Sequence, residues 1–334
     1  MTLLWGLAPT PPASLAPQNE DICQAFQRHL EIKISEAGPS NQRVEPVLLS
    51  ASLRELKDEG AVKVHRSDDI NMDFIVPKDF GKRGDASRFR RIRKLYKEFD
   101  HYAGLNHYCG LYLEKLLYET LLEADDLYHV IGCGPTLGSD GKLMKPSGSE
   151  VLYFNGKEVY GKAGFDLFAV HKKTGIPFGI EAKNLRKWLY PDSREIWRMI
   201  ARSCSVDCLP ILAARKIAYV SYARLFYPCG ILGFQTQFQY FNPEVLKDSD
   251  HFTEIIKKDG LGFADIKTTD QIPNHFRKFF QEILPKNIED YYKRFMDNKE
   301  LLKEYAIDEK LAENMNSHKR KSLYQEFEEQ LDFE

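Results

Sequence analysis

Gly164-Phe165-Asp166-Leu167-Phe168-Ala169-Val170 runs through the polar turn His171-Lys172-Lys173-Thr174-Gly175 into Ile176-Pro177-Phe178-Gly179-Ile180-Glu181-Ala182-Lys183-Asn184. Two apolar segments flanking a turn rich in Lys, Thr and Gly predict a β-hairpin. With Lys173 and Thr174 at the turn centre, Asp166 falls directly across from Glu181. Opposed residues of an antiparallel pair share a face, with Cβ atoms about 5 Å apart. Glu181 and Lys183 are two apart on one strand, so Lys183 joins that face. Two facing carboxylates repel, and burial beside Phe168 and Val170 raises the cost unless a cation sits between them. Hard oxygen ligands from two carboxylates suit Mg²⁺, and Mn²⁺ is the expected substitute. Lys183 then stands ready to polarise water or stabilise developing negative charge.

Working outward, residues 104–124 predict a helix whose leucines (Leu111, Leu113, Leu116, Leu117, Leu121, Leu122) form a wide buried face. Glu114 lies among them; Glu119 and Glu123 are the alternatives on the same helix. Residues 132–148 are glycine-rich and irregular. Strands are expected at 150–154, 164–171, 177–183, 211–214, 216–222 and beyond Gly230, with a helix at 193–203. The charged segment from about residue 270 predicts helices, with Phe276, Phe279, Phe280, Tyr291, Phe295 and Leu302 as packing residues.

The order of these elements resembles the PD-(D/E)xK nuclease superfamily, the fold of restriction endonucleases and archaeal-type Holliday junction resolvases. The resemblance covers residues from about 104 to 240. It rests on Glu114 in the first helix, Asp166 opening the second strand, and Glu181-Ala182-Lys183 closing the third. The residue before Asp166 is Phe165 where the motif name has proline. The resemblance implies an α/β fold with a restriction-endonuclease-like mixed sheet flanked by helices. It implies that Glu114, Asp166, Glu181 and the carbonyl of Ala182 serve the metal, with Asp166, Glu181, Lys183 and Glu114 as the catalytic set. The activity it implies is a magnesium-dependent endonuclease acting on DNA, RNA being the other substrate, in restriction or mobile-element defence. It also raises a homodimer as the form that cuts both strands. The rival expectations are a nucleic-acid-binding regulator on an inactive nuclease fold and a structure-specific resolvase or RNA nuclease.

Charge distribution points the same way. Net charge is only −2, yet residues 82–97 carry eight basic residues against one acid. An amphipathic helix is expected over 88–100, with Phe89, Ile92, Tyr96 and Phe99 as its apolar stripe. Arg88, Arg90, Arg91, Arg93, Lys94 and Lys97 then face phosphate or form a solvated basic surface. Asn184, Arg186, Lys187 and Trp188 contact nucleic acid or begin the next helix. Arg194, Arg198 and Arg202 recur every four residues as a basic ridge for substrate backbone or for salt bridges.

Upstream, helices are expected over 19–34 and 50–59, followed by a hairpin of 61–65 and 70–76. That pattern fits an N-terminal winged-helix-like module or a small packing unit. The division expected is a disordered leader (1–17), that module (18–80), a basic linker and helix (81–103), the nuclease core (104–245) and a helical C-terminal tail (246–334). Six scattered cysteines form no CxxC pair, and nine histidines show no HxxxH spacing, which argues against a zinc site. Hydrophobic residues at 43% and charged residues at 29% are ordinary for a globular protein, and no apolar run spans a bilayer. A cytoplasmic location is the expectation.

Overall fold

A computed structural model describes residues 55–67, 72–78, 90–91, 93–99, 106–138, 143–148, 150–185, 188–243, 246, 249–256 and 265–331. The leader, the helix at 19–34, the first half of the helix at 50–59, Arg88, Phe89, Ile92, Arg186 and Lys187 lie outside those residues. The chain divides into two compact units. Residues 1–106 with 246–266 form the first, and 107–245 with 267–334 form the second.

In the first unit, β1 (Val62–Ser67) and β2 (Met72–Pro77) pair antiparallel, Val62 opposite Pro77. This is the expected hairpin; the segments expected to form helices at 19–34 and over the first half of 50–59 lie outside the described residues. The basic segment is helical over 90–91 and 93–99. Its apolar side is committed to packing, with Phe99 buried and stacked on Phe252 of the helix Ser249–Ile256 at 6.2 Å. Arg90, Arg91, Lys94 and Lys97 are exposed and Arg93 is half-buried.

The second unit is built on a five-stranded mixed sheet. Helix α1 (Asn106–Glu123) leads into β3 (Tyr128–Ile131), then β4 (Leu167–His171) and β5 (Pro177–Lys183). Helix α2 (Arg194–Val206) crosses to β6 (Leu209–Ala214), and β7 (Leu232–Gln235) follows. The spatial order is β7-β6-β5-β4-β3, with β3, β4 and β5 antiparallel and β5, β6 and β7 parallel. The α2 crossover is what makes the β5–β6 pair parallel, since a short turn cannot reverse direction twice. Strand β5 is buried on both faces along its centre, as a strand covered by helices on both sides must be.

One face packs Leu167, Ala169, Phe178, Ile180, Ile211 and Phe234 against α1 and against Phe276, Phe279, Phe280, Leu284 and Ile288. The other packs Leu212 and Ala214 against α2 and against Leu302, Tyr305 and Phe327. The C-terminal helices α3 (Leu284–Asp297) and α4 (Ser317–Gln330) thus complete both layers of this unit. The boundary drawn at residue 246 from the sequence therefore does not separate them from the core. Leu122, expected inside, is 48% exposed because it falls off the inward stripe of α1.

Three local expectations are corrected. The first strand of the meander is β3 at Tyr128–Ile131, and the segment 150–154 contributes only Tyr153–Phe154, paired with Lys157–Glu158. That small hairpin turns on Asn155 and Gly156, both at positive φ, the Asn-Gly signature of a type I′ turn. The expected strand 216–222 is instead a bridge at Ile217, a helical turn Tyr219–Ser221 and a π-helical segment Tyr222–Phe226. Its Ile, Val and Tyr suit a strand, but Leu225 and Phe226 reach the core only when the chain coils.

Candidate active site

The β4–β5 hairpin sets the site. Leu167 pairs with Ile180 and Val170 with Pro177, and His171 N–H donates to the Ile176 carbonyl at 3.0 Å. Gly175 closes the turn at φ +71°, a left-handed conformation in which a side chain would be strained. This register carries Asp166 to the level of Glu181, as the turn chemistry predicts. Asp166 stands one residue before β4, and its Oδ2 accepts the Ala182 N–H at 2.7 Å. Phe165 is held against Gly179, where a Cβ would lie 2.4 Å from its ring. A bare backbone at Gly179 is therefore what lets the chain carrying Asp166 lie flat on β5.

Five more side chains converge there. Lys183 Nζ lies 2.6 Å from Glu181 Oε1 and 3.6 Å from Asp166 Oδ2. Arg202 of α2 donates to Glu181 Oε2 at 2.7 Å. Lys145, just after the short strand Leu143–Met144, places Nζ 3.1 Å from Glu114 Oε2 and 3.9 Å from Asp166 Oδ1. Glu114 projects from α1 and is buried among leucines. The alternatives on α1 are engaged elsewhere, Glu119 with Lys115 and Glu123 with Arg277. A shallow cleft lined by Tyr118, Ile131, Gly132, Cys133 and Phe168 has Asp166 at its wall.

The electrostatics follow from burial. Desolvation, with Asp166 adding repulsion and Lys145 opposing both, pushes the Glu114 carboxyl up from 4.5 to about 7. Burial and Asp166 likewise raise Glu181, against the pull of Lys183 and Arg202. Burial alone would lower Lys183, but Asp166 and Glu181 beside it hold the ammonium charged and shift it upward. Lys183 is therefore a fixed cation and hydrogen-bond donor that keeps its proton at physiological pH.

Lys145 and Arg202 were not placed in this cluster by sequence. Lys145 follows an irregular segment with no periodicity to locate its side chain. Arg202 was read as part of a ridge with Arg194 and Arg198; it turns into the site, while Arg198 stays exposed. Asn184 is taken up by the fold: its side-chain amide donates to the Tyr240 carbonyl at 2.7 Å and its Oδ1 accepts the Tyr240 N–H at 3.0 Å. That buried bracket ties the end of β5 to the strand Gln239–Phe241.

As the side chains stand, no three Asp, Glu, His or Cys residues among those described are gathered to hold a metal ion. Lysines interleave the carboxylates. The donor chemistry nonetheless fits a hard divalent cation at one point. Glu114 Oε2 is buried, and the Lys145 ammonium 3.1 Å from it is shared with Asp166 Oδ1 at 3.9 Å, so a cation already stands between the two carboxylates. Both Glu181 oxygens are taken by Lys183 and Arg202, so Glu181 is the least available of the three.

No family model matches the chain, and neither a curated protein nor a solved structure matches it.

Proposed function

We propose that this protein is a magnesium-dependent phosphodiesterase that cuts nucleic acid, with DNA as the substrate. The observation that carries the reading is Glu114, Asp166, Glu181 and Lys183 meeting at the end of a hairpin in a helix-covered mixed sheet. The exposed Arg90, Arg91, Lys94 and Lys97 supply charge suited to a phosphate backbone. An endonuclease in restriction or mobile-element defence is the employment this reading favours, by analogy alone.

In this scheme Asp166 and Glu114 would hold the cation, with the Ala182 carbonyl and Glu181 as the further oxygen donors the resemblance implies. The cation supplies Lewis acidity that activates water and neutralises the phosphate. The Ala182 N–H fixes one Asp166 oxygen and leaves Oδ1 directed to Lys145. Lys183, held protonated, donates to the attacking water or to a non-bridging phosphate oxygen and stabilises charge developing at phosphorus. Arg202 and Lys183 together favour the ionised form of the buried Glu181, against burial and Asp166, and fix its two oxygens in place.

A second reading draws on the saturation of Glu181. A carboxylate with both oxygens ion-paired resembles a structural group, as in a nucleic-acid-binding regulator on a nuclease fold without activity. Purified protein with Mg²⁺ or Mn²⁺ and plasmid, linear duplex, single-stranded, branched and RNA substrates separates the two. Cleavage that Lys183→Ala and Glu181→Gln abolish, with binding retained, supports the enzyme. Tight binding without cleavage by the wild type supports the regulator, and equal cleavage by the variants removes the site.

A further inference from the structure

Lys145 stands where a cation is needed. Its ammonium is 3.1 Å from Glu114 Oε2 and 3.9 Å from Asp166 Oδ1, the two oxygens best suited to share a metal. A third carboxylate, Glu150, lies 3.9 Å from the same nitrogen and is the more solvated partner, with its side chain 46% exposed. Glu150 is itself anchored, because its Oε2 accepts the Gly164 N–H at 3.1 Å and leaves Oε1 toward Lys145. The ammonium thus has two anion stations, one buried and one at the surface. Lysine suits such a role, being a compact charge on a flexible four-carbon stem.

We propose that Lys145 is a resident counter-ion of the metal site: it holds Glu114 and Asp166 together in the metal-free protein and moves to Glu150 when a divalent cation enters. This rests on the metal-dependent reading above. The exchange makes and breaks no covalent bond. A divalent ion enters between Glu114 and Asp166, and the ammonium leaves still protonated, trading those partners for Glu150. Lys145 is a positioning residue under this scheme, acting on the substrate only through the two carboxylates. Its presence spares the metal-free fold an uncompensated pair of carboxylates, one buried and one half-buried, and the same charge competes with the metal. Weak resting affinity is the consequence, relieved wherever Glu150 can receive the lysine.

The test is Mn²⁺ binding to the metal-free full chain, followed by calorimetry and by loss of the free-ion electron-paramagnetic signal. Lys145→Met is expected to bind Mn²⁺ about tenfold tighter than wild type. Lys145→Arg keeps the charge and is expected to bind no tighter. Glu150→Gln should weaken wild-type binding by a few-fold and have no effect in the Lys145→Met background, the coupling a double-mutant cycle detects. A merely structural lysine would instead lower affinity when removed. If Lys145→Met does not melt cooperatively, Lys145→Gln takes its place. Binding by both proteins, with the variant equal or weaker, overturns the counter-ion inference and leaves the metal site standing. Absence of binding by wild type and variant at millimolar Mn²⁺ overturns both. Binding that survives Asp166→Asn lies elsewhere and also overturns the inference.

Discussion

Replacing Glu114 by glutamine should stabilise the metal-free protein, and only at neutral and alkaline pH. The folded carboxyl keeps its proton up to about pH 7, against 4.5 for an ordinary glutamic acid. Between those values the folded state binds more protons than the unfolded state, so wild-type stability falls as pH rises through that window. Above pH 7 both states are ionised and the penalty is complete. Moving a carboxyl from 4.5 to about 7 amounts to about 3 kcal/mol. Glutamine mimics the protonated form and escapes that penalty. Melting curves in EDTA should coincide near pH 5 and diverge by roughly 5–10 °C at pH 8, with the variant higher. Saturating Mn²⁺ should then raise the wild type and leave the variant little changed, because one metal donor is gone. A variant equally stable with wild type at pH 8, or one shifted equally at both pH values, refutes burial as the source of the raised carboxyl.

Arg202→Met leaves Glu181 with Lys183 alone in a buried setting, and should cost roughly 3 kcal/mol, read as a lower denaturation midpoint. Gly179→Val drives a side chain into the Phe165 ring and displaces Asp166; cleavage should fall at least about a hundredfold, with the far-ultraviolet dichroism of the sheet retained. Reversing Arg90, Arg91 and Lys94 to Glu should weaken DNA binding and flatten its dependence on salt, measured by fluorescence anisotropy from low to physiological ionic strength. An unchanged salt slope would remove that helix from the nucleic-acid surface.

No helix among the described residues is long and apolar enough to cross a membrane. This agrees with the absence of any long apolar run in the sequence. The second unit is α/β, with a mixed central sheet and helices on both faces.

The hairpin was legible because its information is local. A period of two and a short polar turn fix its register, and register alone brings Asp166 level with Glu181 and Lys183. The leucine spacing of α1 similarly placed Glu114 on a buried surface. Other features depend on what the chain meets far from itself. Strand β3 is four residues long and pairs across a long excursion to β4, so too little periodicity marks it. The segment Tyr219–Phe226 has strand-like residues, but burial of Leu225 and Phe226 overrode their preference. Asn184 followed the motif closely enough to suggest substrate contact, and only the approach of Tyr240 shows its amide satisfied within the fold. Lys145 and Arg202 enter the site from a loop and a crossover helix, whose side-chain directions are set by packing rather than by spacing. Sequence therefore determined which carboxylates face each other across neighbouring strands, while tertiary structure decided which cations neutralise them. Pairing within a hairpin follows from backbone geometry over a few residues; the choice of counter-ion follows from the whole core closing around it.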